Sequence, residues 1–269
     1  MVFLLLVAAL RAATPVDVLV QGAEALEVKE IFAALGSNAE TVRLGPYVFQ
    51  LGRIGPHRVA VTCTGQALIN CTASTVLALE EFHPRIIINQ GTSGAQVPGL
   101  KVNDIIVGQR CLDYGNFVTG TRAAGEGSAP LTWQPVPQCL RDPATGQLVP
   151  YPEGFAGDPD LLARALRTTN PLGRVLAGVI GSAHEVNREL DRVRWSHETY
   201  GMDVEEMESG HVAALARAYG VRYIAFRVVS DAPYDGLEFD PSAARTTALF
   251  TLAFLENLPA LPALSPNPR

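Results

Sequence analysis

Arg85-Ile86-Ile87-Ile88-Asn89-Gln90-Gly91-Thr92-Ser93-Gly94-Ala95 is the stretch that decides the fold class. Arg85 to Asn89 is a short continuous apolar run, without the polar alternation of a strand that has one wet face. It reads as a strand buried on both sides. The run leads into Gly91 to Ala95, which reads as a small-residue turn. Glycines there let a ligand approach the backbone closely, and Thr92 and Ser93 offer hydroxyls and amide donors. A plain tight turn fits the same residues. No Gly-Lys-Ser/Thr follows and no GxGxxG is formed, so neither nucleotide-binding pattern applies.

Working outward, the chain alternates strands and helices. Upstream, Val16 to Val20 reads as a buried strand and Glu24 to Leu35 as a helix. Tyr47 to Ile54 and His57 to Cys63 are strands joined at Gly55-Pro56, and Ala67 to Phe82 is a helix ending before Pro84. Downstream, Asp104 to Val107 is a strand, followed by Pro- and Gly-rich sequence from Leu112 to Pro159 that contains Trp133 and Tyr151. A helix from Asp160 to Arg167, capped by Asp158-Pro159, restarts the order. A strand over Val175 to Ile180, a helix after Glu208, a strand over Tyr223 to Val229 and a helix from Pro241 to Leu255 complete it, with Asp240 as N-cap of the last. This predicts a single α/β domain over 14–269. Its central sheet is mixed and mostly parallel, flanked by helices, with an insertion at about 112–150.

The composition is that of a globular protein: 269 residues, 48% hydrophobic and 18% charged, with no linker-like segment. A net charge of −6 and the lack of a basic run with aromatics argue against a nucleic-acid partner. Residues 1–13 carry an apolar run too short for a membrane span but of signal-peptide length, with small residues after it. Export to the periplasm or medium is the expectation, although the basic leading region is missing. A buried first strand or a misassigned start codon are the alternatives, and without a signal the protein is expected in the cytoplasm. Cys63, Cys71, Cys111 and Cys139 form no zinc spacing. Cys111 and Cys139 bracket the Pro/Gly-rich loop, where a disulfide would be useful in an exported protein.

Carboxylates gather just outside apolar elements. Glu206-Met207-Glu208 stands at the mouth of a helix, and Arg227-Val228-Val229-Ser230-Asp231 ends a very apolar strand. Gln21-Gly22-Ala23-Glu24-Ala25-Leu26-Glu27 follows the first strand. Glu24 reads as helix-start chemistry, while Glu27 faces inward. An open α/β sheet places its ligand crevice beyond the carboxyl ends of its strands, and burial there lets an Asp hold a proton near neutral pH. Acid groups converging without a metal-ligand cluster suit acid-assisted cleavage of a polar small molecule. With no Gly-x-Ser-x-Gly elbow and no cluster among its five His, the chain does not read as a serine or zinc hydrolase.

Ile87 to Ala95 with Gly99 to Val107, Val204 to Glu208, and Phe226 to Asp231 resemble the three signatures of the nucleoside phosphorylase/nucleosidase superfamily, in order. Within it, Gly22-Ala23 to Glu27-Val28 is most similar to the first loop of the 5′-methylthioadenosine/S-adenosylhomocysteine nucleosidases. The resemblance implies hydrolysis of the N-glycosidic bond of a purine-type nucleoside. Glu27 would activate water with help from Arg227 and Thr92, Asp231 would protonate the leaving base, and Ser230 would hold Asp231. Glu208 would bind the ribose with Met207 packed on it, while Glu206, Ser93 and Gly94 would line the substrate site. His184 would stack on the base where the nucleosidases carry an aromatic. Phosphorylases of the superfamily place arginines near the first loop and before the Gly-rich stretch, where this chain has Glu27 and Asn89-Gln90; a phosphate beside Glu27 would be repelled. The expectation includes nucleoside and water as partners, no cofactor or metal, and a homodimer. A non-catalytic exported storage-type homologue and a phosphate-dependent phosphorylase are the alternatives.

Overall fold

Ile86, Ile87 and Ile88 are fully buried, and their side chains divide between two cores on opposite faces of one sheet. The structure is a computed structural model and describes residues 15–142 and 144–262. In chain order the elements are β1 (Val18–Gly22), α1 (Ala25–Ala34), β2 (Glu40–Leu44), β3 (Tyr47–Ile54), β4 (His57–Cys63), α2 (Ala67–Phe82), β5 (Ile86–Ala95) and β6 (Ile105–Asp113). Four short strands follow, β7 (Phe117–Val118), β8 (Gln134–Pro135), β9 (Gln138–Arg141) and β10 (Leu148–Tyr151), then β11 (Phe155–Ala156). The chain closes with α3 (Pro159–Ala165), β12 (Val175–Ser182), α4 (Leu190–Tyr200), β13 (Val204–Glu206), α5 (Ser209–Tyr219), β14 (Arg222–Asp231) and α6 (Ala243–Asn257).

The main sheet is mixed. β4, β1, β5 and β14 run parallel side by side, while β3 extends the edge antiparallel to β4 and β2 pairs antiparallel to β3 beyond it. β12 is parallel to both β6 and β13, whereas β14 meets β6 and β13 meets β5 in the antiparallel sense. Stepping from β5 to β14, β6, β12 and β13 leads back to β5, so these five strands close a ring. Helices α1 and α6 cover the face holding Val18, Val20, Ile86, Ile88 and Phe226; α2 and α5 cover the face holding Leu19, Ile87 and Ala225. Burial of whole apolar side chains, worth about 1.5–3 kcal/mol each, is what holds the layers together.

Several expectations need correction. The small-residue turn at Gly91 to Ala95 is strand: β5 continues through it, pairing with β14 at Thr92 and Ser93 and with β13 at Gly94 and Ala95. Partners on both sides supply the ladder that the glycines' own propensity does not favour. Helix α6 has Ser242 as N-cap; Asp240 stands outside, its Oδ1 accepting the Ser242 N–H at 2.8 Å. The polar helix α4 and the short strands β2 and β13 carry no strong apolar period and were not expected. The stretch after Leu112 holds two small antiparallel pairs, β7 with β8 and β9 with β10. The expected Cys111–Cys139 disulfide is absent: all four cysteines are free, with Cys111 buried in β6 and Cys139 exposed in β9. The signal-like segment 1–13 lies outside the described residues.

Candidate active site

The carboxyl ends of β1, β5, β13 and β14 open into a cleft of about 380 Å³, within the size range of small-molecule sites. Glu27 comes from the first turn of α1, just after β1. Its Oε2 accepts the N–H groups of Ala23 and Glu24 at 2.8 and 3.0 Å, and its Oε1 accepts the Thr92 N–H and hydroxyl at 2.8 and 3.0 Å. This helix-start carboxylate is fixed in place while still lining the cleft. A Cβ on Gly91 would fall 2.7 Å from Glu27 Oε1 and 2.2 Å from Arg227 Nη1, so only glycine fits between the two.

On the far flank of β5, the register with β14 shifts between Val229 and Asp231, and Ser230 is the extra residue. Such a bulge re-aims side chains. The Ser230 hydroxyl lies 2.9 Å from Asp231 Oδ1, and Oδ2 lies beside Gly94, where a Cβ would come within 2.9 Å of it. Burial pushes the Asp231 carboxyl above the usual carboxylate range, against the pull of the Ser230 hydroxyl and of Arg188. A proton is thereby held nearer neutrality on an acid that faces the cleft.

Glu206 and Glu208 flank the start of α5. Glu206 is anchored on all sides: Ser182 and Ser209 hydroxyls, the Glu208 and Ser209 N–H groups, and the Arg227 guanidinium all reach it. Glu208 Oε1 accepts the Ala67 N–H at 2.7 Å at the mouth of α2, and Oε2 stands 3.6 Å from Arg227. Burial raises the Glu208 carboxyl, with the charge of Glu206 adding to it and Arg227 opposing. Arg227 is the cation that lets the two neighbouring buried carboxyl groups coexist.

Asp231, Glu27, Ser230, Glu208, Met207, Glu206, Thr92, Ser93 and Gly94 all line the one cleft. Arg227 and His184 do not. Arg227 is 1% exposed beneath the floor, bonded to Asn89, Ser209 and Glu206, where it can hold carboxylates but not water. His184 is exposed, and its Nε2 accepts the Leu68 N–H at 2.9 Å outside the cleft. In its place Glu185, Val186 and Phe239 line the wall, with Arg188, Gln66 and Glu205. Glu185, Val186, Arg188, Gln66 and Phe239 were missed because they sit in irregular segments that carry no motif, and Glu205 because it lies within the Val204 to Glu208 stretch, where only its neighbours were assigned roles. Glu205 is buried against Tyr114 and Asn187, and burial pushes its carboxyl up to about 7 against their hydrogen bonds. Among the described residues no group of His, Cys, Asp and Glu is arranged to hold a metal ion.

Known proteins share this architecture. The chain is 29% identical over 245 residues to a 5′-methylthioadenosine/S-adenosylhomocysteine nucleosidase of Actinobacillus succinogenes, covering 88% of itself and 97% of the relative. The nucleosidase of Neisseria meningitidis, solved with methylthio-immucillin-A, superposes with a TM-score of 0.71 at 24% identity, over 90% of this chain and 99% of that one. Futalosine hydrolase of Helicobacter pylori has the same fold, with a TM-score of 0.69 at 20% identity over 91% and 99% of the two chains. The sequence model described as the phosphorylase superfamily matches residues 17–256, and the chain belongs to that superfamily.

Proposed function

We propose that this protein hydrolyses the N-glycosidic bond of a purine-type nucleoside, of the kind named for its methylthioadenosine/S-adenosylhomocysteine nucleosidase relatives. The observation that carries the reading is the placement of Glu27 and Asp231 in one cleft, on opposite flanks of the Thr92–Gly94 backbone. Asp231 gives its proton to N7 of the base as the bond from C1′ to N9 breaks, leaving the purine neutral. Glu27 takes a proton from a water whose oxygen bonds to C1′. The sugar passes through an oxocarbenium-like state, which the cleft carboxylates stabilise. Glu208 accepts hydrogen bonds from the ribose hydroxyls and Met207 packs on the sugar. Arg227 acts beneath them by holding Glu206 and Glu208 in register.

Water is favoured over phosphate as the nucleophile because the cleft wall carries seven carboxyl groups and one guanidinium, that of Arg188. Release of free base from methylthioadenosine, S-adenosylhomocysteine, adenosine and inosine tests the reading. Release from at least one is expected, and inertness toward all four defeats it. The same proposal includes export, supported by the apolar run in 1–13, and a homodimer, supported by the resemblance to the nucleosidases. N-terminal sequencing of protein recovered outside the cytoplasm and sedimentation analysis test these two points.

A further inference from the structure

Glu24 and Gln66 line the cleft, yet the hydrolysis described above uses neither. Both stand at helix starts, Glu24 as the N-cap of α1 and Gln66 as the N-cap of α2. The loops that carry them are laced together beyond the ends of β1 and β4. The Thr64 N–H reaches Gly22 O at 2.9 Å, the Gly65 N–H reaches Ala23 O at 3.1 Å, and the Cys63 thiol reaches Ala23 O at 3.3 Å. Glu24 and Gln66 therefore share one end of the cleft. Across the sheet the order is β4, β1, β5, β14, so this end lies away from Asp231, with the Thr92–Gly94 backbone between them. The two anchors of the sugar fix what reaches it. C1′ sits at the water on Glu27, and Glu24 gives its N–H to Glu27 Oε2 at 3.0 Å. The ribose hydroxyls sit at Glu208, whose Oε1 accepts the N–H of Ala67, the residue after Gln66, at 2.7 Å. With the base at Asp231, the part of the nucleoside that points away from it is the C4′–C5′ end of the ribose, and Glu24 and Gln66 flank that end.

Neither side chain suits an apolar group there. Gln66 makes no side-chain capping bond with its own helix, and its amide carries two donors and an acceptor. Glu24 joins Glu27 in a capping box, and a carboxylate that accepts one backbone N–H has further lone pairs for a ligand. A 5′-hydroxyl donates to Glu24 while accepting from Gln66. A 5′-thioether donates nothing and accepts weakly, so it would strip water from both groups without replacing it. We propose that Glu24 and Gln66 select a nucleoside with a free 5′-hydroxyl over one with a 5′-thioether. Methylthioadenosine, which offers the same base and ribose hydroxyls as adenosine, is then the weaker substrate of the two, and that preference sets the chain apart from the relatives named for it. This inference rests on the purine-nucleoside reading above and narrows its substrate class.

Adenosine, 5′-deoxyadenosine and methylthioadenosine differ only at C5′, so base release and equilibrium binding of the three by the full chain test it. The wild type is expected to favour adenosine over the other two by about tenfold or more in kcat/KM and in Kd, the worth of one hydrogen bond to a charged group. 5′-Deoxyadenosine removes the hydroxyl without adding bulk, so its loss reports the hydrogen bond and not a clash. Glu24→Met and Gln66→Met are apolar replacements of similar length at positions that are half-buried and exposed. Both are expected to bring the ratio of adenosine to methylthioadenosine down toward unity or below it. Gln66→Met leaves the capping box of α1 intact, so it reports on the site even where Glu24→Met loosens that helix start. A purely structural role would weaken all three nucleosides alike. A wild type that takes 5′-deoxyadenosine or methylthioadenosine as well as adenosine overturns the proposal, and a ratio unmoved in one variant overturns the part given to that residue. Selective binding without base release would defeat the hydrolase reading and leave the 5′ preference standing; base release led by methylthioadenosine would do the reverse.

Discussion

Asp231 owes its acid character to where the chain places it. A carboxyl ordinarily ionised at neutral pH is buried at a strand end, and a bulge brings Ser230 alongside to orient it. Asp231→Asn keeps the shape and removes the proton, so turnover is expected to fall by about a hundred- to ten-thousandfold, the usual worth of a general acid. The variant's thermal midpoint should stay near that of the wild type, and near-normal turnover would defeat the assignment of the acid. Asp231 and Glu27 were legible in the sequence because each follows an apolar strand, where the crevice of an α/β sheet must lie. The place of His184 was not legible. Whether its ring or that of a neighbour faces the ligand depends on which backbone group binds it, and Leu68 claims it from 116 residues away.

Elements carry what single residues cannot. Arg227 on β14 reaches Asn89 on β5, Glu206 on β13 and Ser209 at the start of α5, and it neutralises carboxylates from the segment they share. Arg227→Met would leave Glu206 and Glu208 buried beside each other without their cation. A loss of about 3–5 kcal/mol in urea unfolding is expected, as for breaking a buried ion pair from one side. An unchanged midpoint would contradict this account of the floor. Sequence patterning located β5 by its isoleucines but stopped it at Asn89, because small residues do not announce a strand. Its second half is strand only because β13 and β14 are there to pair with it. The same reason hid β13, three residues long, and α4, whose surface is mostly polar.

At the scale of the molecule, acid groups set opposing pH dependences. Glu205, raised from 4.5 to about 7, binds its proton more tightly folded than unfolded. Its stabilisation is complete below 4.5 and is lost as pH rises through about 7, an effect of about 3 kcal/mol, with Glu208 acting in the same sense. Asp104 and Asp158 are held below 3.8, Asp104 by Arg174 against its burial and Asp158 by Arg222; their contribution is present above that value and lost on acidification. Stability is therefore expected to peak in mildly acid solution, and Glu205→Gln should flatten the neutral limb in a thermal-melt series. A profile rising steadily to pH 8 would contradict that balance. The α/β class and the order of its main elements were readable in the sequence, while the closed ring of five strands depends on pairings between β6, β12, β13 and β14 that no local pattern encodes. The central claim, cleavage of a purine nucleoside by water, is tested most directly by identifying the sugar product in phosphate-free buffer and again with phosphate added. Free reducing sugar released with the base in both conditions is the predicted result; base release only with phosphate, yielding a sugar 1-phosphate, would contradict it.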